Sequence, residues 1–243
     1  MSRTIVIGDI HGGFKALQQL IGRVSPQEND RLVFLGDYVD GWSESAHVIE
    51  RLIHLEASHD CIFIKGNHDI WCEEWLAGGK PNREWLFHGG KETIESYGNF
   101  DQQQKKTHLE FFNRLKDYYT DEQNRLYIHA GFTSMHGPAK EHYASNFNTD
   151  RTLWEMARTM DQRISKDSKL YPKRLLHYKE IFIGHTPTVY YDTTVPMNGC
   201  NVWNVDTGAA FTGPVSAIDA DTKQFWQSDI VQILYPNEKG RNK

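Results

Sequence analysis

Short apolar runs alternate with amphipathic stretches along the first third of the chain. Thr4–Ile7, Leu32–Leu35 and Cys61–Ile64 each read as a buried strand, four residues long and ending at a glycine or just before one. Between them Phe14, Leu17, Leu20, Ile21 and Val24 recur at helical spacing, as do Val48, Ile49, Leu52 and Ile53. Ser25-Pro26 stops the first helix, and Ser43 or Ser45 is expected to cap the second. Strand, polar turn and helix thus repeat with a period of about 30 residues, one strand-helix unit. Such a chain makes parallel strands joined by right-handed crossovers, so the loops at the strands' carboxyl ends gather along one edge of the sheet.

Residues 70–124 break this rhythm. Trp71, Trp75, Trp85, Phe87, Tyr97, Phe111, Phe112, Tyr118 and Tyr119 fall on helical or turn-rich sequence, which predicts a helical insertion whose aromatic rings mostly pack a layer onto the sheet. Strands resume at Leu126–Ile128 and Ile181–Ile183, with a helix over 149–162 capped by Thr149 or Asp150. Residues 202–228 read as antiparallel strands around the turns Asp206-Thr207-Gly208 and Asp219-Ala220-Asp221-Thr222. The expectation is an α/β fold in one domain over residues 1–236, with the insertion at 70–124 and a loose polar tail at 237–243.

Composition narrows the class. The 243 residues carry 27 basic and 32 acidic side chains for a formal charge of −5, with no long basic run, which argues against a nucleic-acid groove. Cys61, Cys72 and Cys200 are scattered and odd in number, as in a reducing compartment rather than a disulfide framework. No apolar stretch approaches membrane-spanning length, and a strand beginning at Thr4 leaves no room for a signal peptide, so a cytoplasmic location is expected.

The chemistry sits in the polar turns. Five strand ends deliver Gly8-Asp9-Ile10-His11-Gly12, Gly36-Asp37-Tyr38-Val39-Asp40-Gly41, Gly66-Asn67-His68-Asp69, His129-Ala130-Gly131 and Gly184-His185-Thr186-Pro187. Carboxylate, amide and imidazole donors in this number suit two divalent cations. One would take Asp9, His11 and Asp37, the other Asp37, Asn67, His129 and His185, with Asp37 shared. Two cations about 3.5–4 Å apart clamp the attacking and departing oxygens of a displacement at phosphorus and supply hydroxide from bound water near neutral pH. Manganese, iron, zinc and nickel all suit these ligands.

These five motifs in this order resemble the calcineurin-like metallophosphoesterases, and within them the phosphoprotein phosphatases, including bacterial serine/threonine protein phosphatases, together with the symmetrical diadenosine tetraphosphatases. The resemblance runs from Thr4 to about Trp226 and implies a four-layer α-β-β-α sandwich, the ligand set just given, His68 as general acid and Asp40 as the acceptor that fixes the His68 tautomer and favours its protonated ring. It implies a phosphorylated substrate: a phosphate monoester such as phosphoserine or phosphothreonine, or, as an alternative, a dinucleoside polyphosphate; a non-catalytic scaffold on the same fold is the third reading.

Two departures bear on that choice. Many metallophosphoesterases carry a second histidine where this chain has Pro187, and its absence is typical of the phosphoprotein phosphatase branch. That branch also places a phosphate-gripping arginine after the second aspartate of Gly-Asp-x-Val-Asp, where this chain has Gly41-Trp42. Lys65, Arg83, Arg151 and Arg158 are the candidates to replace that grip, and its loss shifts preference from monoester dianions toward diesters or phosphoanhydrides. His47, His54 and His59 read as surface or partly packed residues, His88 as either such a residue or one lining a lid formed by the insertion, and Asp206 as either a turn residue or an outer partner of the metals.

Overall fold

The computed structural model describes residues 2–242. Ten strands form two mixed five-stranded sheets. The first runs β10-β9-β1-β2-β3, where β1 is Thr4–Ile7, β2 Arg31–Phe34, β3 Asp60–Phe63, β9 Ser216–Asp219 and β10 Phe225–Gln227. The second runs β4-β5-β6-β8-β7, where β4 is Tyr118–Thr120, β5 Arg125–Ile128, β6 Glu180–Ile183, β7 Met197–Gly199 and β8 Val202–Asn204. Within each sheet three consecutive strands are parallel, β1-β2-β3 and β5-β6-β8, and antiparallel strands add to one side of the first set and to both sides of the second.

The sheets are flanked by helices, as the alternation of strand and helix predicts. On α1 (Phe14–Val24), Ala16, Leu17, Leu20, Ile21 and Val24 form one buried stripe against the first sheet, together with Ala46, Val48, Ile49, Leu52 and Leu55 of α2 (Ser45–Glu56). Truncating a wholly buried member such as Leu20 to alanine costs about 2–5 kcal/mol. Between the sheets lie Val6, Val33, Leu35, Tyr127, Phe182, Val205 and Ile218, with Tyr127 and Phe182 stacked at 5.3 Å. Under the second sheet, Leu153, Trp154 and Ala157 of α7 (Thr152–Thr159) pack with Leu126, Ile128, Ile181 and Ile183.

The segment 70–124 is less uniform than its pattern predicts. It contains most of α3 (Asn67–Leu76), then α4 (Arg83–Trp85), α5 (Lys91–Ser96) and α6 (Gln102–Asn113), but Tyr118 and Tyr119 belong to β4. Two adjacent aromatic residues on a half-buried edge suit a strand as well as a helix, and pairing with β5 decides between them. Trp85, Tyr97, Phe111 and Phe112 do enter the core, while Phe87 stays 63% exposed.

Four further expectations change. Val202–Asn204 is not part of an antiparallel run: it pairs in parallel with β6, and the turn at Asp206 carries the chain from one sheet to the other. Neither Ser43 nor Ser45 caps α2, because Ser43 donates to Glu238 and the Ser45 hydroxyl accepts the Asp40 N–H. The helix expected from Thr149 or Asp150 begins at Thr152, and Asp150 accepts the N–H groups of Thr152 and Leu153. The tail through Asn242 is docked rather than loose: Glu238 accepts from the Ser43 N–H and hydroxyl, and the Arg241 N–H donates to the Ala210 carbonyl at 2.8 Å. Lys243 lies outside the described residues.

Candidate metal centre

The carboxyl ends of β1, β2 and β3 meet those of β5 and β6 where the two sheets pack together. The turns there are tight. His11, Asp37, Asp40 and His185 all have positive φ, between 52° and 73°, conformations that cost a side-chain-bearing residue about 1–3 kcal/mol each. Strain of this kind concentrates where a site dictates side-chain direction. Two glycines make the close approaches: a Cβ on Gly66 would lie 2.1 Å from Asp37 Oδ1, and one on Gly184 would lie 2.1 Å from Asp9 Oδ1.

Asp37 is at the centre. Its Oδ1 accepts the His68 backbone N–H at 3.0 Å, while Oδ2 lies 3.6 Å from His11 Nε2 and 3.4 Å from His129 Nε2. The outer ring nitrogens are already committed. His11 Nδ1 faces the Val39 and Asp40 carbonyls at 3.2 and 3.0 Å, and His129 Nδ1 faces the Leu35 carbonyl at 2.8 Å. A carbonyl only accepts, so each Nδ1 carries a hydrogen and Nε2, which faces Asp37, is the atom each ring can offer a cation. Asn67 Oδ1 stands 3.0 Å from His185 Nδ1 and 3.4 Å from His129 Nε2, and Asp9 Oδ2 is 3.9 Å from His11 Nε2.

Two donor groups with mutual spacing within 4.8 Å emerge, His11-Asp37-His68 and Asp37-His129-His185, and they share Asp37. The second contains three of the four residues expected from the sequence, with Asn67 beside it. The first contains His68 where Asp9 was expected, although Asp9 stands next to His11. All six expected ligand residues therefore gather at one place, with Asp9, His11, Asp37 and His129 buried. Buried carboxylate and imidazole donors facing one another fit two divalent cations.

The electrostatics describe crowded charge. Burial, followed by the neighbouring Asp206, raises Asp9 well above the carboxylate range. For Asp37 burial acts in the same direction but is outweighed by His129 and His68, which hold it low. Burial opposes charge on His129 too, yet Asp37 lifts it to about 10. His11 and His185 are pushed well down, chiefly by burial.

Beside the cluster, His68 Nδ1 meets Asp40 Oδ2 at 2.7 Å. Asp40 Oδ2 also accepts from Trp85 Nε1 at 2.8 Å, and Oδ1 accepts from the Thr93 hydroxyl at 2.6 Å. One detail differs from the expectation of a favoured protonated ring. Burial drives His68 down to about 3 and Asp40 up to about 8, so the surroundings disfavour charge on both partners instead of favouring a protonated ring.

Two residues of the centre carry little sequence signal. The Asp69 carboxylate accepts the N–H groups of Gly66, Asp37 and Tyr38 and so locks two motif loops together. Its trace in the sequence is its place at the end of Gly66-Asn67-His68-Asp69, three after the glycine as at a capped helix start. Asp206 accepts the Gly208 N–H, sits close enough to raise Asp9 and is itself pushed to about 6 by burial, so it belongs beside the centre. Of the candidate phosphate grips, Lys65 is bound to Glu73 at 2.6 Å and Arg158 lies over the Tyr191 ring at 4.4 Å. Arg151 is exposed but near enough for its charge to lower His185; Arg83 is exposed.

A strand-borne cluster of this composition at the edge of two packed mixed sheets defines a metallophosphoesterase. The chain belongs to the calcineurin-like phosphoesterase family, which it matches over residues 2–210 and which uses a binuclear divalent metal centre; it is accordingly a hydrolase acting on phosphate esters. It is 24% identical to a bis(5'-nucleosyl)-tetraphosphatase PrpE [asymmetrical] of Oceanobacillus iheyensis, over 90% of this chain and 89% of that one. It is 27% identical to the protein of the same description from Bacillus mycoides, over 88% of each. In fold it is similar to a protein serine/threonine phosphatase from Saccharomyces cerevisiae (TM-score 0.60, 16% identity, 100% of this chain and 84% of that one). It is likewise similar to a metallophosphoesterase from Sphaerobacter thermophilus (TM-score 0.53, 15% identity, 94% and 89%). Among the described residues no helix is long and apolar enough to cross a membrane.

Proposed function

We propose that the protein hydrolyses dinucleoside polyphosphates at a phosphoanhydride, using Asp9, His11, Asp37, Asn67, His129 and His185 as ligands for two divalent cations. The observation that carries the reading is the position of Asp37 Oδ2 between His11 Nε2 and His129 Nε2, at 3.6 and 3.4 Å. Bound there, two cations supply a water acidified to near-neutral pKa and positive charge against the phosphoryl oxygens. Residues of the chain do the rest. His11 and His129 are held with a hydrogen on Nδ1 by backbone carbonyls, so both offer Nε2 on the inner face. His68, oriented by Asp40, delivers a proton to the departing phosphate oxygen, and Asp40 is steadied by Trp85 and Thr93.

The substrate class is supported by Gly41, which leaves no arginine at the position where a monoester dianion is gripped in the resembling phosphatases, and by the names of the Oceanobacillus and Bacillus relatives. A second reading, hydrolysis of phosphate monoesters including phosphoserine and phosphothreonine, is favoured by Pro187 after Gly184-His185-Thr186.

Metal content by mass spectrometry is measured on the same preparation as hydrolysis of diadenosine tetraphosphate, para-nitrophenyl phosphate and a phosphothreonine peptide after manganese reconstitution. About two metals per chain with nucleotide products is the expected result. Two ADP indicate symmetrical cleavage; ATP with AMP indicates asymmetrical cleavage. Phosphate release from the peptide with no nucleotide product selects the second reading. Neither metal nor turnover overturns both and leaves the scaffold.

A further inference from the structure

The backbone at Gly41 is covered by the tail. A Cβ there would lie 3.3 Å from Cγ of Arg241, so the space that a side chain at position 41 would use holds the stem of an arginine from 200 residues further on. The placement is built in. Gly240 has φ +56° and packs so close to the Trp42 ring that a Cβ would fall 2.6 Å from it. The Arg241 N–H is tied to the Ala210 carbonyl, and the Asn242 amide donates to the Phe211 carbonyl at 3.1 Å.

The guanidinium lies over the Phe211 ring at 5.4 Å with Nη2 3.2 Å from His88 Nδ1, while its Nε is buried and has no hydrogen-bond partner. No carboxylate neutralises it among the ion pairs of the described residues. Its charge is near enough to bear on His11, Asp40, His68 and Asp206.

Arg241 also lines a cleft of about 310 Å³ with Phe87, His88, Tyr190, Phe211 and Asn242. His88 stacks on Trp71, and its ring is 6.5 Å from that of His68, so the cleft opens beside the metal centre. Phe87 and Tyr190 are 63% and 58% exposed, and Tyr190 and Phe211 lie 6.1 Å apart. Exposed aromatic rings around one cation recognise a flat aromatic ligand that carries an anion; a base stacked on protein rings gains about 1–3 kcal/mol whatever its identity. A phosphoserine or phosphothreonine peptide has no ring for these faces to meet next to its phosphate.

We propose that this cleft is a nucleoside-phosphate subsite, in which Arg241 grips the phosphate adjoining the scissile one and Phe87, Tyr190 and Phe211 receive the base. The tail thereby supplies, from a different part of the chain, the phosphate grip missing at position 41. The inference rests on the dinucleoside polyphosphate reading above and names where one half of that substrate lies.

The test compares wild type with Tyr190→Ser, Phe87→Ser and Arg241→Ala in two measurements. One is the ratio of kcat/KM on diadenosine tetraphosphate to that on para-nitrophenyl phosphate. The other is binding of ADP to chelator-treated, metal-free protein by titration calorimetry. Each ring substitution is at an exposed position, and each is expected to lower the ratio and weaken ADP binding about tenfold. Arg241→Ala is expected to weaken ADP binding at least as much and to raise KM more than it lowers kcat. If wild type cleaves diadenosine tetraphosphate while all three variants keep its ratio and ADP affinity, the subsite is overturned and the proposed function stands. If wild type releases phosphate only from the other substrates, the proposed function fails and calorimetry decides the subsite: ADP binding lost in the variants upholds it, and no ADP binding overturns it.

Discussion

Asp40→Asn separates orientation of His68 from the rest of the site. Asparagine keeps the shape of a wholly buried side chain with three polar partners. Its amide nitrogen cannot take the Oδ2 position, where the N–H groups of His68 and Trp85 already point inward at 2.7 and 2.8 Å. It takes the Oδ1 position, where the Thr93 hydroxyl turns to accept. Every bond then survives in neutral form. A hydrogen bond to a charged group contributes about 1.5–3 kcal/mol and a neutral one about 0.5–1.5, so above about pH 8, where the Asp40 carboxyl is ionised, the hold on His68 weakens by about 1–2 kcal/mol. The expected outcome is turnover lower by about 10- to 100-fold, the range for loss of an outer partner, with both metals retained. The assay is kcat on a series of aryl phosphates of graded leaving-group acidity, with metals per chain measured alongside. Losses must grow as the leaving group becomes poorer, since an activated aryl oxide needs no proton. His68→Ala must follow the same slope with a larger loss, about 10²–10⁴-fold on the poorest leaving group. Equal losses along the series in both variants would refute the proton-donor assignment and make the pair structural.

Gly66→Ala sets a methyl 2.1 Å from Asp37 Oδ1 and should displace the shared ligand, so metal content falls at both positions together; Gly22→Ala, with nothing within 4 Å of its added Cβ, should raise stability by about 0.5–1 kcal/mol in urea denaturation. Chelation of the metal-loaded protein should lower Tm in a calorimetric scan, since a ligand at 100 times its Kd contributes about 2.7 kcal/mol. Glu141 titrates near pH 2: burial would raise it, but the Thr133 and Ser134 N–H groups and the Asn146 amide hold the carboxylate. Its folded pKa is below the unfolded one, so its contribution is complete above about pH 4.5 and fades as pH falls toward 2. Glu141→Gln should therefore cost about 1–2 kcal/mol at pH 7, allowing for solvent screening, and almost nothing near pH 2, read from urea midpoints across that range.

The parallel strands were legible because burial on both faces makes them short continuous apolar runs, and the candidate ligands because each such run ends in a turn rich in glycine, aspartate and histidine. Other features depend on partners distant in sequence. Tyr118 and Tyr119 become a strand only through β5, and Val202–Asn204 joins the second sheet only through β6. The docking of the tail rests on Trp42, Ser43 and Ala210, none of which any local pattern links to Gly240 or Arg241. Asp69 resembles an ordinary capping residue until the N–H groups of Asp37 and Tyr38 are seen to converge on it.

The pairing of Ile5 with Asp219 has a consequence for how the protein is made. Until β9 returns, one edge of β1 is an open ladder of apolar residues, a template for any other extended chain. Closing a loop of that length costs roughly 5 kcal/mol of chain entropy before any contact offsets it. Folding of the first sheet is thus governed by its most distant contact, and slow folding with aggregation from the open β1 edge is the expected behaviour of chains released before β9.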